Sequence, residues 1–329
     1  CYNGQWALLF LEEQAVDLVG EAKSDFHVVC EIAKSLEKLG GKYEGLLERY
    51  TGGLSKEEKI IKGFEGSGKP ESLSWEQFKE QKFYASPTRD GWESESAGLL
   101  NFYKDPDAYP LQSPTGKIEY YSTTLAQMFP DDTLRAPYAQ WVEESDEHKD
   151  RITSERAKAY PYLLVSNHPH WRVHVNHDDI PWTREIETCK VKGPDGYLYE
   201  PLWINPKDAA KYDIKTGDIV KIFNERGGVL GGAYVTERII PGALYQDHGA
   251  KIDAIVRGTG GLDRSGSNNL ICPDATTSPN CAGEVTNSYL VGVEKVDVFA
   301  LAAQYPEEFS RDYDEAVGLI ASAYIIGEE

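Results

Sequence analysis

The segment from Ser166 to His177 carries four of the chain's seven histidines, at positions 168, 170, 174 and 177. Imidazole nitrogens ligate metals, but a zinc-type site needs three or four ligands at defined spacings, often completed by carboxylates or thiolates. No such motif accompanies these histidines, so no metal ligand is assigned. Because Ser, Asn, His and Arg side chains after a strand suit phosphates and nucleobase edges, we interpret the segment as a loop that binds an anionic or polar ligand. A histidine-bound metal and a purely structural loop are the alternatives.

Two further polar segments are candidates for the same kind of site. Gln246-Asp247-His248-Gly249 follows a predicted strand, and its glycine allows a sharp turn or a close approach to a ligand. Residues 260–288 are predicted as a long loop with little apolar content, and loops above about 15 residues are usually functional or disordered. A mobile surface loop is the alternative. The polar residues of this loop are Arg264, Asn268, Asn269, Asp274, Thr286 and Asn287.

Short apolar runs after Tyr160 predict a β-rich domain that carries these loops. A helix should interrupt it after Asn205, which offers an N-cap, because the next residue is a proline suited to the first helical position. Since the strands are not regularly separated by helices, we expect a closed barrel rather than a parallel sheet. Asn224-Glu225-Arg226-Gly227 is predicted as a hairpin turn. The predicted strands are Tyr162–Val165, Ile219–Phe223, Gly228–Val235, Ala243–Gln246 and Tyr289–Val293.

The first half of the chain is patterned differently. Apolar residues recur at helical spacing from Ser24 to Leu39, which predicts an amphipathic helix. Ser74-Trp75-Glu76-Gln77 has the spacing of a capping box and predicts a second helix start. Residues 84–115 are predicted as an ordered but irregular loop that leads into a short strand at Ile118–Ser122. We expect residues 130–158 to link two domains.

Length and composition exclude several classes of partner. The chain has 329 residues, 40% of them hydrophobic, which is enough for two domains. Its formal net charge of −20 disfavours nucleic acid and anionic lipid as partners, and no apolar run approaches the roughly 18 residues of a membrane span.

The chain opens without Met, and we expect further sequence upstream. Five cysteines without a C-x-x-C pair favour free thiols over a Cys272–Cys281 disulfide or shared metal site; they are Cys1, Cys30, Cys189, Cys272 and Cys281.

The succession of motifs resembles the dimethyl sulfoxide reductase family of molybdenum and tungsten enzymes. Gly20–Phe26, Cys30–Lys34 and Pro114–Ser122 are similar to the segments that precede the family's C-terminal cap. Later segments resemble its molybdopterin dinucleotide-binding domain, and the resemblance covers most of residues 15–296. These later segments are Ser166–His174, Ile204–Ala210, Thr216–Asp218, Asn224–Gly227 and Val235–Arg238.

The resemblance implies a fold and a division into domains. The fold class is an α+β tail of the family's α/β body, followed by a double-psi β-barrel that is the molybdopterin dinucleotide-binding domain. Residues 1–130 are expected to be the C-terminal piece of the catalytic body, and residues 131–156 a linker. The barrel is expected over residues 157–297, with an acidic helical tail over residues 298–329.

The resemblance also implies the cofactor, bis-molybdopterin guanine dinucleotide with molybdenum or tungsten. At positions that match the family, pterin or diphosphate would be contacted by Ser166, Asn167, His168, His170, Arg172 and His174. His248 would lie near a pterin. The guanosine or pterin ends would be bound by Asn269, Thr286 and Asn287. No segment matches the family's metal ligand or iron–sulfur motif, so catalytic residues are expected upstream.

Three segments look most like the branch of pyrogallol–phloroglucinol transhydroxylase and catechol dehydroxylase: His168–His174, Ile180–Trp182 and Asp263–Asn269. That branch implies anaerobic hydroxyl transfer or reductive dehydroxylation of a small aromatic substrate. The alternatives are a sulfur-compound or arsenate reductase, acetylene hydratase, or a non-catalytic dinucleotide-binding module. Expected partners are the N-terminal remainder of the same subunit and an iron–sulfur electron-transfer subunit. Cysteine usage favours the cytoplasm, with export by a twin-arginine signal as the alternative.

Overall fold

The structure is a computed structural model, and it describes residues 2–5, 8–18, 20–67, 73–87, 90–94, 98–142, 149–186, 188–284, 288–314 and 319–320. The chain divides into two compact units, the first ending at Lys117 and the second beginning at Ile118. Within the described residues, no helix is long and apolar enough to cross a bilayer. Four cysteines, at positions 30, 189, 272 and 281, are free thiols, as the sequence favours.

The first unit combines a small antiparallel sheet with helices. Its three strands, in the order β1-β2-β3, are β1 (Tyr2–Gln5), β2 (Leu8–Leu11) and β3 (Phe83–Ala85). Its helices are α1 (Asp25–Glu37), α2 (Leu46–Thr51), α3 (Lys56–Glu65), α4 (Trp75–Gln81) and α5 (Leu100–Lys104). The core is aromatic, because Phe64 of α3 stacks on Phe78 of α4 with ring centroids 5.3 Å apart.

Local signals in this unit predict its main helices correctly. Helix α1 begins directly after Ser24, and the Ser74–Gln77 capping box forms as the sequence predicts. The irregular loop predicted for residues 84–115 is wrong in part, because α5 forms within it.

The second unit opens with helix α6 (Thr123–Met128), whose N-cap is Ser122. The strand predicted at Ile118–Ser122 is wrong. Ser122 instead donates its backbone N–H to the Pro137 carbonyl, and its hydroxyl accepts from the Leu125 N–H at the start of α6. A strand requires a neighbouring strand to pair with its backbone, whereas this segment uses its backbone to begin a helix.

A closed six-stranded barrel forms the centre of the second unit. Its ring runs β4-β15-β8-β9-β7-β10 and returns to β4. The members are β4 (Tyr162–Val165), β7 (Pro201–Ile204), β8 (Ile219–Asn224), β9 (Gly227–Val235), β10 (Ala243–Gln246) and β15 (Tyr289–Lys295). The predicted closed barrel, its five predicted strands and the hairpin turn between β8 and β9 are therefore confirmed. The double-psi connectivity stays a prediction.

The barrel interior is a continuous apolar core. Leu164, Leu202, Ile222, Leu244 and Val291 each come from a different strand and are fully buried. Burying an aliphatic side chain stabilises the fold by roughly 1.5–3 kcal/mol relative to leaving it exposed. The barrel is therefore a rigid support for the loops that leave its strands.

Smaller elements decorate the barrel. Helix α7 (Pro181–Arg184) and the pair β5 (Val191–Lys192) and β6 (Leu198–Tyr199) precede β7, and α8 (Pro206–Ala209) follows it with the predicted Asn205 cap. The structureless loop predicted for residues 260–288 is wrong, because the described part of this segment, 260–284 and 288, contains three strands and a short 3-10 turn at Asn268–Leu270. Its strands are β12 (Gly261–Asp263), β13 (Thr276–Ser278) and β14 (Cys281–Glu284); β11 (Ala254–Val256) pairs with β12, which lies beside β9.

The tail after the barrel packs on the barrel itself. It forms α9 (Val298–Gln304), α10 (Pro306–Phe309) and the strand pair β16 (Tyr313–Asp314) and β17 (Leu319–Ile320). The ring of Tyr313 stacks on that of Tyr197 with centroids 4.5 Å apart, and Arg311 pairs with Asp253 at 2.7 Å. These two contacts join the tail to segments beside the barrel, and Val298 and Leu301 of α9 pack in one apolar cluster with Ile219 and Leu230 of the barrel strands.

Candidate functional site

Two loops leave the same end of the barrel side by side. Strands β4 and β10 pair in parallel with Val165 opposite Tyr245, so the loops that follow them begin as neighbours. The His248 N–H donates to the Asn167 carbonyl at 3.0 Å, and Arg172 Nε donates to the His248 carbonyl at 2.9 Å. The histidine-rich loop and the 246–249 segment thus form one surface, although the sequence separates them by about 70 residues.

Gly249 allows the two loops to approach closely. Its φ is +93°, and a Cβ atom at this position would overlap the carbonyl oxygen of His174. His174 itself has a φ of +52°, a conformation that is uncommon for residues other than glycine. The sharp turn predicted at Gly249 is confirmed, and the close approach seen here is to the backbone of the other loop. A close approach of Gly249 to a ligand stays a prediction.

Three imidazoles meet where the loops touch. The ring centroid of His168 lies 4.7 Å from that of His174 and 4.7 Å from that of His248. The centroids of His174 and His248 are 5.0 Å apart. His174 Nδ1 and His248 Nε2 share a hydrogen bond of 2.9 Å. Burial, followed by the neighbouring His168 and His174, lowers the pKa of His248, which favours its neutral imidazole. Each ring nitrogen of the neutral His248 imidazole donates or accepts according to its tautomer.

A buried charge network lies beside this cluster. The Arg172 side chain is 0% exposed and donates to Asp178 Oδ1 at 2.8 Å and to Glu200 Oε1 at 2.7 Å. Lys190 pairs with the same two carboxylates and is itself buried. Burial by itself would raise the pKa of Asp178, but Lys190 and Arg172 outweigh it and hold that pKa below its ordinary value. Two cations and two carboxylates thus balance each other inside the protein.

This arrangement defines what Arg172 does in the described structure. Its guanidinium lies in the interior, where Glu200 and Asp178 compensate its charge, and its Nε fixes the carbonyl of His248. It therefore holds the second loop against the first. Direct contact between Arg172 and a diphosphate stays a prediction.

A third segment completes the site from the chain after β12. Asn268 is buried, and its side-chain amide donates to Ser166 Oγ at 2.7 Å and to the Asp247 carbonyl at 3.3 Å. It therefore ties this segment to both loops. Burial raises the pKa of Asp247 to about 6, although a hydrogen bond from the Tyr245 hydroxyl opposes the rise.

The structure brings most of the predicted site residues to this end of the barrel. Ser166 is buried beneath the loops, and the side chains of Asn167, His168, His170, His174 and Asn269 are exposed, while that of His248 is half-buried. His170 lies outside the three-histidine cluster. Thr286 and Asn287 lie outside the described residues.

Sequence reasoning missed the residues that support the site. No motif in the sequence marks Glu200, Lys190 or Asp178, and Asn268 is only one of several polar residues in the segment 260–288. One signal was present for Glu200, which interrupts the apolar run from Tyr197 to Ile204. A lone charge within such a run indicates a buried partner, because an unpaired buried charge is very costly.

A known family matches the part of the chain that holds both loops. Residues 162–288 match the family described as "Molydopterin dinucleotide binding domain". That match includes the strands β4 and β10 and both loops that follow them.

Full-length relatives extend the similarity beyond the barrel. Trimethylamine-N-oxide reductase of Haemophilus influenzae is 31% identical over 293 residues, which are 86% of this chain and 32% of that protein. Dimethyl sulfoxide/trimethylamine N-oxide reductase of Cereibacter sphaeroides is 30% identical over 290 residues, with the same two coverages. The solved structure of acetylene hydratase from Pelobacter acetylenicus aligns with a TM-score of 0.49 at 18% identity, over 90% of this chain and 36% of that one.

The chain spans about a third of the length of these curated relatives. Residues 162–288 thus match the molydopterin dinucleotide binding domain, and 86% of the chain is similar in sequence to reductases of dimethyl sulfoxide and trimethylamine N-oxide.

Proposed function

We propose that this chain is the cofactor-binding C-terminal part of an oxidoreductase that uses bis-molybdopterin guanine dinucleotide with molybdenum or tungsten. The observation that carries the proposal is the family match over residues 162–288, which contains the paired loops at the end of the barrel. A non-catalytic module that binds a dinucleotide is the second candidate, because the description of the matched family names dinucleotide binding and no reaction.

The donor set at this end of the barrel fits such a group. The exposed amide of Asn167 and the imidazoles of His168 and His174 present hydrogen-bonding groups to the outside, as pterin rings and diphosphates require. Beside them, His248 would contact a pterin, and Asn269 would bind the guanosine or pterin end of the cofactor. When bound, the cofactor supplies the redox chemistry, while the protein supplies binding and orientation.

The remaining residues of the site would keep these contacts in place. Arg172, neutralised by Glu200 and Asp178, fixes the His248 carbonyl, and Asn268 ties Ser166 to the second loop. Such pre-organisation raises affinity because the loops lose little conformational freedom on binding.

The names of the relatives support a specific reaction. We propose that the whole enzyme removes oxygen from a sulfoxide or an amine N-oxide, because the relatives reported above are reductases of such compounds. The aromatic hydroxyl substrate expected from the finer resemblance finds no support in those relatives. The metal ligand, and an iron–sulfur cluster in the same polypeptide or in a partner subunit, would lie in sequence outside these 329 residues.

The decisive experiment is elemental analysis of the protein purified from its native host, combined with release and quantification of guanine. Molybdenum or tungsten with about two guanines per chain would support the cofactor assignment. An intact preparation with neither metal would leave the non-catalytic module as the better function. Within the whole enzyme, His174→Ala should lower the guanine content, whereas His177→Ala in the same loop should leave it unchanged.

A turnover assay separates the substrate classes. The whole enzyme, reduced with a viologen dye, would be offered dimethyl sulfoxide, trimethylamine N-oxide or a catechol. Oxidation of the dye by the first two and not by the catechol would support the proposed reaction. Turnover of the catechol alone would overturn it and restore the aromatic substrate, without affecting the cofactor assignment.

A further inference from the structure

We propose that His168, His174 and His248 form a binding site for one divalent transition-metal ion, such as Zn²⁺, in the form of the protein that holds no dinucleotide. This site would be distinct from the molybdenum or tungsten of the cofactor. It does not rest on the proposed function, because the three side chains are available for an ion whether or not the whole enzyme is a reductase.

The positions of the ligand atoms carry the proposal. One nitrogen from each imidazole lies within 4.8 Å of the others, and the His174 Nδ1 to His248 Nε2 distance is 2.9 Å. Zinc–nitrogen bonds of about 2.0–2.1 Å in a tetrahedron place the nitrogens roughly 3.3 Å apart. Side-chain rotations that change the N–N distances by at most about 1.5 Å therefore suffice to place all three nitrogens around one ion.

The type and exposure of the ligands select the class of ion. Imidazole suits Zn, Cu, Ni and Fe, whereas Mg²⁺ and Ca²⁺ prefer oxygen ligands. His168 and His174 are exposed, so an ion can enter from solvent and keep a water molecule as its fourth ligand. Three histidines and one open position are a donor set that zinc accepts.

The backbone around the ligands is already fixed. The His248 N–H and carbonyl are both held by hydrogen bonds, and Gly249 packs against the His174 carbonyl. His174 is kept at a φ of +52°, and non-glycine residues in this region cluster at sites that bind ligands. The nearby cation Arg172 would repel an ion only weakly, because Glu200 and Asp178 neutralise it.

The test is metal binding to the purified chain, prepared without a histidine tag and stripped of metal by a chelator. Zn²⁺ is titrated by calorimetry, and Co²⁺ by the visible absorption of its tetrahedral complexes. We expect one ion per chain and no binding of Mg²⁺. His248→Ala should weaken Zn²⁺ binding by at least the roughly 10–100-fold that loss of an outer-shell partner costs.

Matched variants make the result specific. His177→Ala removes an exposed histidine from the same loop but outside the cluster, and its affinity for Zn²⁺ should equal that of the wild type. His168→Ala is a second cluster variant in case His248→Ala fails to fold, and circular dichroism checks both. Equal losses in His177→Ala and the cluster variants, or no stoichiometric binding, would overturn the proposal.

The metal assay and the guanine assay fail independently. Guanine and molybdenum in the native enzyme, without Zn²⁺ binding to the stripped chain, would remove the metal site and leave the proposed function standing. One Zn²⁺ per chain without any guanine in the native protein would support the metal site and remove the cofactor assignment.

Discussion

Glu200 is the buried carboxylate whose loss should most disturb the site end of the barrel. Its side chain is 0% exposed, and it accepts hydrogen bonds from Arg172 at 2.7 and 3.1 Å as well as pairing with Lys190. Glu200→Gln keeps the shape but leaves the buried cations Arg172 and Lys190 with Asp178 as the carboxylate that they share in ion pairs. Breaking a buried ion pair by removing one partner costs about 3–5 kcal/mol.

The assay is differential scanning calorimetry of the whole chain. For a unit of this size, each kcal/mol shifts the unfolding midpoint by about 2–4 °C, so the expected drop is about 6–20 °C. Glu294→Gln is the matched control, since Glu294 is 51% exposed and pairs with Lys221 at 3.1 Å on the barrel surface. An exposed pair contributes about 0–1 kcal/mol, so the control should shift the midpoint by a few degrees at most.

A double variant tests the cause of the loss. Arg172→Met with Glu200→Gln leaves Lys190 balanced by Asp178, so it should unfold at a higher temperature than Glu200→Gln alone. A Glu200→Gln midpoint no lower than that of Glu294→Gln would refute the charge-balance reasoning. The reasoning would also be refuted if the midpoint shift of the double variant equalled the sum of the shifts of Glu200→Gln and Arg172→Met. Residues in one buried charge network are coupled, so their effects on stability should not simply add.

Three further predictions concern single positions in the second unit. Gly249→Ala should destabilise the protein by more than about 1–2 kcal/mol, the cost of a left-handed backbone for a residue other than glycine, because the added Cβ would overlap the His174 carbonyl. Gly242→Ala is the control, since Gly242 has a φ of +86° with open space around it, and it should cost only that amount in thermal unfolding. Asp178 has a pKa depressed below its ordinary 3.8, so its contribution to stability is complete above that pH and is lost as the pH falls through the lower folded value. Urea unfolding at a series of pH values should therefore show a steeper acid loss in the wild type than in Asp178→Asn, and parallel curves would contradict this. Leu244→Ala in the fully buried core should cost about 2–5 kcal/mol by urea unfolding, and a loss below 1 kcal/mol would show that the core is not close-packed there.

Local patterns were sufficient for the barrel strands and for the helices that carry clear caps. Tyr162–Val165 and Ala243–Gln246 are short apolar runs bounded by polar residues, and Asn224–Gly227 provides a two-residue turn between strands. These signals are local because neighbouring residues decide whether a strand or turn forms. The strand predicted at Ile118–Ser122 is wrong because none of the described strands pairs with it and its last residue caps a helix.

The sequence by itself determined that a polar, histidine-rich loop follows a buried strand, and that a glycine ends a second polar segment. Only the tertiary structure decided that His248 joins His168 and His174, because parallel pairing of β4 with β10 aligns two strand ends far apart in the chain. The same long-range packing places the Arg172 guanidinium in the interior, where it forms an ion pair with Glu200. Charge pairs of this kind form between residues that the fold brings together in the interior, and the spacing of those residues along the chain does not predict which of them will be neighbours.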